Sequence, residues 1–106
     1  MVVVLFDDER SFVPGFRDDA IVIRTVADAL KQFPTFTVID ELWLDYILRP
    51  GVTSDAIHAL KGVEVKKVIF HSSAYAAKTL IIDDLAMAGV TVPVDFPPNG
   101  GVFQKI

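Results

Sequence analysis

The sequence holds no cysteine. That excludes disulfides, thiolate metal sites and cysteine nucleophiles, and it fits a reducing, cytoplasmic setting. No apolar run is longer than a β-strand, so none offers the roughly 20 residues of a membrane-spanning helix. The first residues carry neither a basic stretch nor a small-residue cleavage site, so no signal peptide is expected. Basic residues are the minority: 10 Lys and Arg face 14 Asp and Glu, a formal net charge of -4. This balance excludes an extended nucleic-acid surface, which needs a basic footprint. There is no low-complexity tract, internal repeat or linker. The 106 residues therefore read as one domain, 1–106, with one core.

Hydrophobic residues make up 52% of the chain, and they come in strand-sized runs. Five strands are expected: residues 2–6, 20–23, one centred on Leu42-Trp43-Leu44, 68–70 and 90–94. Thr25 reads as an N-cap with Asp28 three residues on, opening a helix whose stripe is Val26, Ala29, Leu30 and Phe33. Pro34 stops it. Pro50-Gly51 marks a turn, after which Thr53 or Ser54 caps a short helix, 55–61, that Gly62 ends. Ser73 caps a longer one reaching Met87-Ala88, with Leu80, Ile81 and Leu85 inward and Gly89 at its close. Pro14-Gly15 and Asp18-Asp19 mark residues 9–19 as a loop. Pro97, Pro98, Gly100 and Gly101 make residues 95–106 an irregular tail. Strands alternating with helices predict an α/β fold with a mostly parallel sheet.

Ligands of open α/β sheets bind outside the carboxyl ends of the strands. Here the first strand delivers Asp7 and Asp8 to that end, the third delivers Asp45, and the fourth delivers His71, Ser72 and Ser73. If strands one and three are neighbours, the three carboxylates converge and repel one another unless a cation sits among them. Mg²⁺ suits such a site, since it prefers oxygen ligands. Asp45 is then a candidate nucleophile toward phosphorus, and Arg10 and Arg24 are candidate phosphate-binding cations. The Ser73 amide, at a helix start, adds an anion-binding group. Alternatives stay open for several of these. His71 is either a general acid–base or a satisfied, half-buried histidine. Ser72 either donates to a phosphoryl oxygen or caps the following helix. Arg10 either binds phosphate or pairs with Asp45 or Glu9. Trp43 is core or lines the crevice, and His58 is a solvated histidine on a helix surface.

Four stretches carry a family resemblance: Phe6-Asp7-Asp8-Glu9-Arg10, Val22-Ile23-Arg24-Thr25, residues 39–45 and Val68-Ile69-Phe70-His71-Ser72. In this layout the chain resembles receiver domains of response regulators, and more closely the cyclic-phosphate processing receiver family, a divergent branch. The resemblance implies a flavodoxin-like (receiver-like) five-stranded sheet of order 2-1-3-4-5, here lacking the first and last helices. It also implies Mg²⁺ held by Asp7, Asp8 and Asp45, phosphoacceptor chemistry at Asp45, and Ser72 beside the phosphoryl group. Two positions depart from the pattern. Ordinary receivers place a lysine after strand five, where this chain has Asp95. The divergent branch often carries an acid two residues after the strand-three aspartate, where this chain has Ile47.

Without helices after strands one and five, one sheet face is left to Phe12, Val13 and Phe16 of the loop and Phe96, Val102 and Phe103 of the tail. If these do not cover it, a homodimer or a protein partner is expected there. Two functions follow. One is a Mg²⁺-dependent crevice handling a phosphoryl group or a cyclic phosphate, carried by a small molecule or an RNA end. The other is a degenerate receiver serving as a non-catalytic protein-interaction module.

Overall fold

The computed structural model describes residues 1–48, 51–71, 77–97 and 101–105. Expectations resting on Pro50, Ser72, Ser73, Pro98 and Gly100 lie outside the described residues. In chain order the elements are β1 (Val3–Phe6), β2 (Arg10–Phe12), β3 (Ile21–Ile23), α1 (Val26–Gln32), β4 (Val38–Ile39), β5 (Glu41–Leu44), β6 (Ile47–Leu48) and β7 (Gly51–Val52). They continue with α2 (Ser54–Ile57), β8 (Glu64–Val65), β9 (Val68–Phe70), α3 (Ala77–Met87), β10 (Val94–Asp95) and β11 (Phe103–Lys105). Short 3-10 turns, Phe33–Thr35 and His58–Leu60, follow α1 and α2.

Five strands form one parallel sheet, ordered β10-β9-β5-β1-β3. With every short strand numbered, the order is 3-1-5-9-10 rather than 2-1-3-4-5. Taken by themselves, the sheet members stand second, first, third, fourth and fifth along the chain. β1, β5 and β9 are buried along their whole length, the mark of strands covered on both faces. Val4, Phe6, Leu42, Leu44, Val68 and Phe70 pack on one face with Ala29, Phe33, Ile57, Ile81 and Leu85 of the helical side.

The opposite face differs from expectation. Residues 10–12 and 103–105 form strands, not loop and irregular tail, and pair antiparallel with Phe103 opposite Phe12. This two-stranded ribbon lies where helices were lacking. Its Phe12 packs with Val3, Leu5, Trp43 and Ile69, flanked by Phe16, Val102 and Phe103. Trp43 meets Phe12 edge-on at 5.0 Å between centroids, and Phe103 stacks on Phe12 at 5.4 Å. The chain thus covers this face itself over β1 and β5, and a homodimer argued from an open face loses that ground. Among the described residues, no helix is long and apolar enough to cross a membrane.

Local signals held in part. The Asp28 amide donates to the Thr25 hydroxyl at 3.1 Å, the expected N-cap. Gly62 and Gly89 end their helical segments at φ of +88° and +89°. Thr53 sits at the N-cap of α2, but its hydroxyl makes no cap; it donates to the Asp45 carbonyl instead. Leu30 and Leu80, read as inward, are 40% and 53% exposed. Both lie just beyond the stripe that touches the sheet, whose width the sequence period overestimates. The fifth strand is confined to Val94–Asp95.

Candidate functional site

Phe6, Leu44 and Phe70 stand in one row across the sheet, with Ile23 beside Phe6. The residues that follow, Arg24, Asp7, Asp45 and His71, therefore reach the carboxyl rim together. Amides carry the ladder one step on: Asp7 to the Ile23 carbonyl at 3.1 Å, Asp45 to Phe6 at 3.0 Å, His71 to Leu44 at 2.9 Å. Strand side chains alternate between faces. Since Phe6, Leu44 and Phe70 face the helical side, Asp7, Asp45 and His71 turn toward the ribbon side. The three carboxylates converge as the register implies: one carboxylate oxygen from each of Asp7, Asp8 and Asp45 lies within 4.8 Å of the others.

Asp7 is fully buried. Its Oδ1 accepts the amides of Glu9 (2.8 Å) and Arg10 (2.9 Å), an Asx turn that bends the chain from β1 into β2. Its Oδ2 accepts Arg10 Nε at 3.1 Å. Arg10 Nη2 reaches Asp45 Oδ2 at 3.2 Å and the His71 carbonyl at 3.4 Å. One guanidinium thus bridges the carboxylates of two strands, and its charge lies 5.4 Å from the Phe103 ring centre. Asp45 Oδ1 accepts the Tyr46 amide at 2.7 Å. Burial, the largest influence, pushes the Asp7 carboxyl up; the two amides and Arg10 pull it back, while Asp45 adds to the rise.

Arg10 therefore takes the pairing alternative, with Asp45 and Asp7. Arg24 is placed on backbone: Nη1 donates to the carbonyls of Asp7 (3.2 Å) and Arg10, and Nη2 to the Ser11 hydroxyl at 2.6 Å. A phosphate at Arg24 would have to displace these bonds. Trp43 is core. His58 is exposed, as expected.

His71 is 6% exposed. Its Nδ1 lies 3.6 Å from Asp7 Oδ2, and among the described residues neither ring nitrogen has a hydrogen-bond partner. The ring packs against Phe103 at 4.5 Å between centroids. Burial lowers its pKa to about 4, opposed by the Asp45 charge and reinforced by Arg10. A neutral imidazole with so little basicity is a poor proton acceptor at neutral pH. It is instead a source of acid lability. Between pH 6.5 and 4 the unfolded chain holds the extra proton, so this part of the stability is complete above about pH 6.5 and drains away toward pH 4. Asp7, with its raised carboxyl, works in the opposite sense. Denaturant titrations should show wild type losing about 2–3 kcal/mol over this window and His71→Gln losing much less. An equal loss in both would remove His71 as the cause.

Two features escaped the sequence reading. Phe103 roofs Arg10 and His71, and only its aromatic character in a presumed tail hinted at this. Arg17 forms a bidentate pair with the buried Glu41, Nε–Oε1 at 2.7 Å and Nη2–Oε2 at 2.8 Å, while Trp43 Nε1 also donates to Glu41 Oε1 at 3.0 Å. The Arg17 hydrogen bond, first, holds the Glu41 carboxyl below its usual range. No periodic signal marks an arginine in a loop as the partner of a strand glutamate. No family model, curated protein or solved structure matches the chain.

Proposed function

We propose that the carboxyl rim binds a divalent cation and handles a phosphoryl group or cyclic phosphate, in a flavodoxin-like, receiver-like domain. The observation that carries this reading is the convergence of Asp7, Asp8 and Asp45 within 4.8 Å. The strand sequence around the sheet agrees with a receiver-like order when the five members are counted alone. An all-oxygen donor set suits Mg²⁺, whose role when bound is to offset carboxylate repulsion and polarise phosphate oxygens. Asp45 is the nucleophile of this reading, at the end of β5. Arg10 serves either the carboxylates or an incoming phosphate, because its donors are already turned to the rim.

Thermal melts test the reading. Mg²⁺ at about ten times its Kd adds about 1.4 kcal/mol to the native state, a Tm rise of about 6 °C for a domain this small. Asp8→Asn with Asp45→Asn should abolish the rise. A flat response in wild type, or the same rise in the double variant, removes the cation site. If the rise is seen, incubation with a small phosphodonor and with a 2′,3′-cyclic nucleotide separates the two chemistries.

One observation favours a second reading, the non-catalytic interaction module: Arg10 already sits where a cation would balance Asp7 and Asp45. That module would use a surface other than the covered face. β3 is an edge strand of the sheet, and its Ile21 and Val22 are exposed.

A further inference from the structure

Away from the acidic rim, the ribbon side of the sheet holds a cavity of about 400 Å³. It lies where the ribbon stops short of β9 and β10. Phe16, Trp43, Ile69 and Phe96 give it apolar and aromatic walls. This is the volume range of small-molecule sites, and such sites combine apolar walls with a few polar groups that fix orientation.

The polar groups divide into two kinds. Arg17 and Glu41 satisfy each other in their bidentate pair, and Glu41 also holds the Trp43 indole. Arg17 keeps that place with a left-handed backbone, φ +50°, which an arginine rarely adopts, and its guanidinium lies over Phe16 at 4.7 Å. The pair is thus a built wall whose charges cancel. Lys67 and Asp95 are different. Both are exposed and both line the cavity; among the described residues neither is within ion-pair distance of a partner, although the Lys67 charge is near enough to Glu41 to help hold that carboxyl down. Their positions follow from the sheet. Lys67 is two residues before Ile69, so it points to the same face, and Asp95 stands beside Ile69 in register. One cation and one anion therefore flank an aromatic chamber without closing on each other.

The geometry points to a binding site for a small aromatic zwitterion, an aromatic amino acid. Its ring fills the space bounded by Trp43, Phe16 and Phe96. Its carboxylate meets Lys67, and its ammonium meets Asp95. A neutral ring would leave both charges unused, and a ligand of one charge sign would leave one of them unpaired. Lys78, 4.4 Å from the Phe96 ring centre, holds the outer wall. The site is independent of the acidic rim and of any metal.

Trp43 is the only tryptophan, so its indole N–H gives one assignable NMR resonance on the cavity wall. Titration with L-phenylalanine should shift that resonance saturably, in the millimolar range or below. Phenethylamine and 3-phenylpropanoate, which keep the ring and one charge each, should bind at least about fivefold more weakly. Lys67→Gln and Asp95→Asn, both at exposed positions, should each weaken L-phenylalanine about tenfold while leaving Tm unchanged. Absence of a saturable shift up to about 10 mM overturns the proposal. So does equal binding of the three probes, or unchanged affinity in both variants.

Discussion

Arg10→Met should cost about 3–5 kcal/mol of stability at pH 7, because it leaves two carboxylates at the sheet rim without their shared counter-ion. Asp7 is fully buried and Asp45 nearly so. With the guanidinium gone, the Asp7 carboxyl, already pushed up by burial, loses the charge that pulls it back. The penalty is present in full while Asp7 is ionised and is relieved as pH falls through its raised value, so the deficit relative to wild type should be smaller at pH 5 than at pH 7.5. Urea titrations at pH 5 and pH 7.5 check this. A uniform loss at both pH values would mean that Arg10 contributes by packing on Phe103 alone. The same variant bears on the cation reading. Mg²⁺ should restore more stability to Arg10→Met than to wild type, since it no longer competes with a resident positive charge. An ion that stabilises neither protein leaves Arg10 as the permanent occupant of the rim and the interaction module as the surviving function.

The second large effect is Trp43→Ala, again about 3–5 kcal/mol for deletion of a large core side chain. Its local consequence matters more than the total. Trp43 packs between β5 and the ribbon, against Phe12, Phe16 and Phe103. Residues 10–13 and 102–105 should lose hydrogen-exchange protection well beyond the change seen in β1 and β9. If protection falls evenly across the sheet, the ribbon is not a separate layer held by this indole. Stabilised by few backbone bonds of its own, a ribbon of three-residue strands depends on the rings beneath it.

Much of the rim was legible in the sequence for a simple reason. β1, β5 and β9 are short, apolar on consecutive positions and stopped by a polar residue. Parallel register then forces Asp7, Asp45 and His71 into one row, whatever the details of the connections. The helical boundaries were legible where chemistry is local, as at Thr25, Gly62 and Gly89. The ribbon was not, because neither Arg10-Ser11-Phe12 nor Phe103-Gln104-Lys105 has a pattern long enough to separate strand from loop. Their pairing is a long-range event, decided by the apolar face they cover. The same holds for Arg17 and Glu41. Leu30 and Leu80 failed for the opposite reason: their spacing is helical, but the tertiary contact is narrower than the stripe.

Pairing of β2 with β11 has a consequence for synthesis. β1, β2, β3, β5 and β9 all leave the ribosome well before residues 102–105, and helices can settle on one side of the nascent sheet during that interval. The other side, with Trp43, Leu5 and Ile69, has only Phe12 and Phe16 to cover it, and β2 has no strand to pair with, until Phe103 arrives. Nascent chains halted before residue 102 should therefore bind chaperones and aggregate, while those extended past residue 105 and the exit tunnel should not.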